Sequence, residues 1–168
     1  MKRWFLYGVV AAGVWWWSQS DATSATRSAD GNLTYPGYTI EPLEAFEIEA
    51  RVLSREDYSF DREAQLAATD LALGWGPMAD DAVLDEIEVW QRNRWYYWQA
   101  SHLPIAKREI VQHSANMHLI AASPQVAAAI KRVDKNDRVR LAGKLVEVRG
   151  EDGWRWRARC RAPMPEQA

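Results

Sequence analysis

The stretch "DRVRLAGKLVEVRGEDGWRWRA", residues 137 to 158, restricts the fold of this 168-residue chain more than any other. Val139 and Leu141 alternate with charged neighbours, the alternation resumes on Val146 and Val148, and "GEDGW" supplies a hairpin turn. The inward parity changes near Ala142 and Gly143, which predicts a bulge or sharp bend at that point. After the turn, Trp154, Trp156, Ala158 and Cys160 share one strand face, and Arg155, Arg157, Arg159 and Arg161 share the other. Strongly bent strands over few core residues predict an α+β domain: a small bent antiparallel β-sheet or partly open β barrel, OB-like or SH3-like, with short packing helices.

Upstream segments fit that class. "FEIEARVL" places Phe46, Ile48, Ala50 and Val52 on one face, as a half-buried strand does. In "GWGPMADD", Gly74, Gly76 and Pro77 stop any helix and form a structured loop around Trp75, after which Asp80 or Asp81 can start a short helix. Ile87 to Trp98 is rich in β-branched and aromatic residues, and reads as one strand with both faces covered. "IAKREIVQ" suits about two helical turns. Ser123 and Pro124 suit the cap and first position of another helix in "SPQVAAAIKRV".

The N-terminus carries a different signal. Lys2 and Arg3 precede an uncharged run from Trp4 to Trp17. As a helix this run would be roughly 21 Å long, short of a bilayer core of about 30 Å, unless the neighbouring Ser18 to Ser20 complete it. Bulky Trp15, Trp16 and Trp17 argue against signal-peptide cleavage after Ala22 and for a retained transmembrane signal-anchor, with the aromatics in the interfacial belt. The basic residues would stay inside, placing the rest of the chain in the periplasm; cleavage with release to the periplasm is the alternative. The expected division is an anchor or signal segment at 1–20, a flexible Ser/Thr/Ala-rich tether at 21–42, one soluble α+β domain at 43–162, and a tail at 163–168.

Charge and cysteine usage narrow the partners. Net charge is −2, but residues 41 to 90 hold 14 acids against 3 bases, and residues 131 to 161 hold 11 bases against 5 acids. Such a division favours internal attraction or a dipolar surface over a nucleic-acid face. The tryptophans alternate away from the arginines on the last strand, which removes the charge-plus-stacking pattern of single-strand binders and leaves a nucleic-acid-binding small barrel as a second alternative. Lone Cys160 has no internal partner for a disulfide. "RNRWYYWQ" is a better contact candidate, because four consecutive aromatics are hard to bury on one side.

"HSANMHLIAASPQ" raises the question of chemistry. His113 and His118 stand five apart, not at the i, i+4 spacing of a helical zinc pair, so they converge only if the intervening residues turn. His102, Asp80, Asp81 or Glu109 could supply a third ligand, and no spacing selects one. Ser114, Ser123 and Cys160 lack the surroundings of a nucleophile. The ordinary role of His113, Asn116 and His118 is to satisfy loop backbone between two helices. The candidate binding residues are Trp75, Arg94, Tyr96, Trp98, His113, Asn116 and His118; His113, His118 and Asp80 are also the candidates for catalysis, and His113 and His118 for zinc.

Taken together, "RVLSREDY" (51–58), "DLALGWGPMAD" (70–80), "QRNRWYYW" (91–98), "HSANMHLIAA" (113–122) and the C-terminal hairpin resemble an uncharacterised family of small bacterial membrane-anchored proteins. The resemblance covers most of residues 46 to 158 and implies one membrane segment with an extracytoplasmic domain, without implying an activity. The chain departs from it at Ala122, where relatives have proline, and in the tail "RCRAPMPEQA", so Cys160 is not equated with the relatives' tail cysteine. The expectation is a non-enzymatic binding module held at the cytoplasmic membrane through residues 4–17, with an envelope protein or small polar ligand as partner and no cofactor. The alternative is a metal-binding or hydrolytic domain centred on His113 and His118.

Overall fold

The computed structural model describes residues 32–158, together with the strand backbones Tyr7–Val10 and Thr26–Arg27. Cys160, the tail, most of the tether and the remainder of the 4–17 run lie outside the described residues. No helix among the described residues is long and apolar enough to cross a membrane. The strands are β1 (Tyr7–Val10), β2 (Thr26–Arg27), β3 (Leu33–Tyr35), β4 (Tyr38–Asp57), β5 (Thr69–Gly74), β6 (Glu88–Arg92), β7 (Trp95–Gln99), β8 (Ser114–Leu119), β9 (Arg138–Gly150) and β10 (Arg155–Arg157). The helices are α1 (Asp81–Leu84), α2 (Lys107–Gln112) and α3 (Pro124–Ile130), with short 3₁₀ turns at Glu63–Gln65 and Gly76–Ala79.

The expected α+β class holds, as a curled antiparallel half-barrel with short helices. Its spine is β4, which is 20 residues long. From Tyr38 to Arg51 it pairs with β9, and from Arg51 to Asp57 with β5, which then pairs with β8. β10 adds to β9 beyond the turn at Glu151–Gly153, where Gly153 takes φ +87 as the sequence "EDGW" anticipates. β3 extends the N-terminal half of β4, and β1 lies parallel to β9.

The bend does not sit where the alternation places it. β9 runs unbroken, and the extra residue is Leu43 on its partner, between Pro42 and Glu44, opposite Val146 and Leu145. Pro42 has no N–H for a ladder, so an irregular site in β4 accommodates it. A second irregularity leaves Leu53 out of the β4–β5 ladder, with its side chain on the Ala72 side of the sheet. The parity change in β9 separates two apolar clusters: Val139 and Leu141 pack with Val52, Leu71 and Leu73, whereas Val146 and Val148 pack with Tyr38, Ile40 and Trp156.

β5 explains the run "TDLALG", which is buried at every position. Leu71 and Leu73 face the first cluster, and Ala72 faces a third containing Met78, Ile87, Val89, Ile110, Tyr96 and Trp98. This third cluster lies between the sheet and the β6–β7 hairpin. Residues 87 to 98 therefore form two strands and not one, because Asn93 (φ 52) and Arg94 (φ 67) make a two-residue turn.

The helix starts follow their side chains. Asp80 caps α1 by accepting from Ala82 N–H at 2.9 Å, and Ser123 caps α3 by accepting from Val126 N–H at 3.3 Å, with Pro124 opening the helix. The segment after α2 differs from its expected form: Ser114–Leu119 is not an inter-helix loop but a full strand, β8.

At the hairpin end of β9 the Arg62 guanidinium lies 4.5 Å from the Trp154 ring centroid and donates to both Asp152 oxygens at 2.7 and 2.9 Å. Those bonds, with one from Trp154 N–H, push the Asp152 carboxyl down to about 2 from an ordinary 3.8. A depressed carboxyl stabilises the fold above its unfolded pKa and loses that contribution as pH falls through the folded one. Asp152→Asn should therefore be less stable than wild type near neutrality, with the gap closing between about pH 4 and pH 2. Urea midpoints across that range test this, and a gap independent of pH would sink it.

Candidate functional site

The β5–β8 register assembles a polar cluster from residues far apart in the chain. Asp70 pairs with His118, Ala72 with Asn116 and Gly74 with Ser114, so these side chains share the sheet face beneath the hairpin. From above, Gln91 donates to Asn116 Oδ1 at 2.6 Å, and Asn116 Nδ2 donates to the Arg94 carbonyl at 3.0 Å. The Arg94 side chain folds back from the turn. Its Nη1 donates to Asp70 Oδ1 at 2.9 Å and to the Ala67 carbonyl at 2.8 Å, while Nε and Nη2 bind Asp61 at 2.9 and 2.6 Å. The guanidinium also lies 3.8 Å from the Tyr58 ring centroid, and Arg94 N–H donates to the Tyr58 hydroxyl.

Electrostatics account for an arginine at this turn position, where glycine is easier. Asp70 has no exposed side-chain surface and needs a cation. The guanidinium reaches it and Asp61 together, as a planar fork can. Arg94 bonding holds the Asp61 carboxyl below the usual carboxylate range, and burial pushes the Tyr58 phenol up. His118 Nδ1 is 2.8 Å from Asp70 Oδ2, but out of line for a hydrogen bond, and its ring lies 5.0 Å from that of Trp156.

His113 and His118 are not brought together. The nearly extended backbone between them spans about 16 Å, too far for one metal ion. The His113 ring contacts Glu109, with Nδ1 3.0 Å from its carbonyl, and packs edge-on toward Trp75. His102 sits elsewhere, on the surface beside Glu86. Asp80 is a helix cap, and the Ser114 hydroxyl donates to the Ile110 carbonyl at 2.5 Å. Among the described residues no three His, Cys, Asp or Glu side chains stand together as metal ligands.

The other proposed binding residues divide by strand parity. Tyr96 and Trp98 point inward into the third cluster, Trp75 packs against the first, and Arg94 and Asn116 belong to the polar layer. The outward face of the hairpin instead carries Trp95 (70% exposed), Tyr97 (43%) and Trp90 (37%). Trp90 and Tyr97 are register partners with stacked rings, 5.8 Å apart and inclined by 18°. Exposed Arg92 lies beside Trp95, and exposed Glu88 accepts from Gln99 at 2.6 Å at the hairpin's other end. Phe60, fully exposed, and Trp95 each adjoin one partner of the Asp61–Arg94 bridge, which places two aromatics at the hairpin tip.

Sequence reading found the stretch but not the turn within it, and therefore did not separate the inward Tyr96 and Trp98 from the outward Trp95 and Tyr97. "NR" lacks the glycine that marks most two-residue turns, and Arg94 stands there because its guanidinium is needed below. Asp61, Asp70 and Gln91 carried no local signal, since their partners are distant in sequence. No family model, curated protein or solved structure matches the chain.

Proposed function

We propose that this small β-rich domain is a non-enzymatic interaction module, tethered to the outer face of the cytoplasmic membrane, that meets its partner through the outward aromatic face of β6–β7. The observation that carries this reading is three large aromatics held in water on a hairpin whose underside is locked by Arg94. Exposed apolar surface on a rigid element marks contact sites more often than isolated hydrophobic residues do. The basic start, the apolar 4–17 run and the resemblance to membrane-anchored proteins support the location.

The test uses the full chain in bacterial membranes, with a photoreactive amino acid in place of Trp95 or, as control, of exposed Lys131. Irradiation should yield an adduct from position 95 and none from 131, and protease added outside spheroplasts should digest the domain. Absence of an adduct at 95 removes the contact surface. Protection of the domain in intact spheroplasts removes the location.

A further inference from the structure

A partner of the same hairpin, at its edge, can be named by its chemistry, and the argument rests on the reading of that hairpin as a contact element. Among the described residues β6 and β7 pair only with each other. Arg92 and Trp95 close the two-residue turn, so Trp95, Tyr97 and Gln99 direct their backbone groups toward β6, and Tyr96 and Trp98 direct theirs away. Among the described residues no backbone group accepts from or donates to that outer edge. β7 itself, "WYYWQ", has no lysine, proline or other charged residue to blunt an edge strand. β6 packs along β4, whereas β7 reaches β8 through the Tyr96 hydroxyl, 3.1 Å from Ser114 Oγ.

We infer that this edge pairs antiparallel with the same edge of a second copy of the chain, around a two-fold axis at Tyr97. That register sets Tyr96 opposite Trp98 of the second copy, and Trp98 opposite its Tyr96, each pair exchanging two N–H···O bonds. Tyr97 faces Tyr97 in the closer, non-hydrogen-bonded pair, where side chains approach most nearly. The shared edge selects this direction. With the same edge on both sides of the seam, an antiparallel two-fold perpendicular to the sheet keeps the aromatic faces of both copies on one side, whereas a parallel pairing would turn one of them over. The edge is thus its own complement, as an isologous interface requires. The joined hairpins form a four-stranded sheet with Trp90, Trp95 and Tyr97 of both copies on one face.

The experiment measures the mass of the detergent-solubilised full chain by sedimentation, as wild type, Tyr97→Lys, Tyr97→Glu and an equal mixture of the two variants. Tyr97 is 43% exposed and stacks outside the core, so circular dichroism should report an unchanged fold. The wild type is expected as a dimer. Each variant alone should raise the dimer dissociation constant about tenfold or more, and the mixture should recover the dimer through Lys opposite Glu. A monomeric wild type, or a dimer indifferent to both substitutions, overturns the pairing. Should both variants unfold, Trp95→Lys, at a site 70% exposed, provides the same reading of mass. A crosslink from position 95 to a chain of different mass, with a monomeric wild type, refutes self-pairing while leaving the contact surface intact; no crosslink of any kind refutes both.

Discussion

Replacing Arg94 with alanine should lower the unfolding free energy by about 3–5 kcal/mol, the usual cost of stranding one member of a buried ion pair. The stranded member is Asp70, whose side chain has no exposed surface. Asp61 contributes less to this loss, because about a third of its side chain faces water (35%). The Ala67 carbonyl loses its donor in the same step. Two further substitutions separate the guanidinium from the backbone beneath it. Arg94→Gly should be about 1 kcal/mol less damaging than Arg94→Ala, since a residue with a Cβ is strained at φ 67 and glycine is not. Arg94→Lys keeps the charge but cannot bridge two carboxylates and a carbonyl at once, and should fall between wild type and alanine. Urea titrations of the four proteins decide the matter. A loss below about 1 kcal/mol for alanine would show that water reaches and solvates Asp70 once the guanidinium is gone.

Gly74→Ala should be of similar severity, roughly 3 kcal/mol or more, through overpacking and not through charge. A Cβ at residue 74 would collide with the Met78 backbone carbonyl and lie 2.9 and 3.0 Å from the two Leu53 methyls. The carbonyl cannot rotate aside, because Gly76–Ala79 is a tight turn with Met78 fully buried. Gly150→Ala is the informative contrast. There the new methyl would meet only the Arg62 and Asp152 side-chain ends, which are partly exposed and free to move. Gly150→Ala should be much milder, and thermal melts of the two variants side by side test the difference. Equal losses would mean that backbone freedom, and not the Met78 contact, sets the cost at Gly74.

The C-terminal hairpin, the caps at Asp80 and Ser123 and the half-buried strand from Phe46 were legible because each rests on neighbours within a few residues. The bend was legible as a parity change, but its location was not, since the bulge that causes it lies on β4, about a hundred positions earlier. β8 was hidden for a related reason. "SANMHL" has little β propensity, and becomes a strand by filling the open edge of β5, where its alternate residues meet Asp70 and Leu71. The candidate site was half visible: the aromatic stretch stood out, while its turn was masked by an arginine placed for a carboxylate 24 positions away.

The junction between β5 and β8 has a consequence for how this chain could be built or reduced. Gly74 and Ser114 are register partners, and Trp75 N–H donates to the His113 carbonyl at 2.9 Å, so everything from residue 75 to 113 leaves and re-enters the sheet at one closed gate. By connectivity alone that excursion is an insert, and a short turn could join the two strands in its place. Deletion alone would uncover Leu53 and Ala72, which the insert buries, whereas Asp70 would then face water, where a carboxylate is solvated without a partner. A minimal half-barrel should therefore require excision together with a polar residue in place of Leu53, and the pairing of those two edits makes the hairpin a graftable part with a single apolar plug.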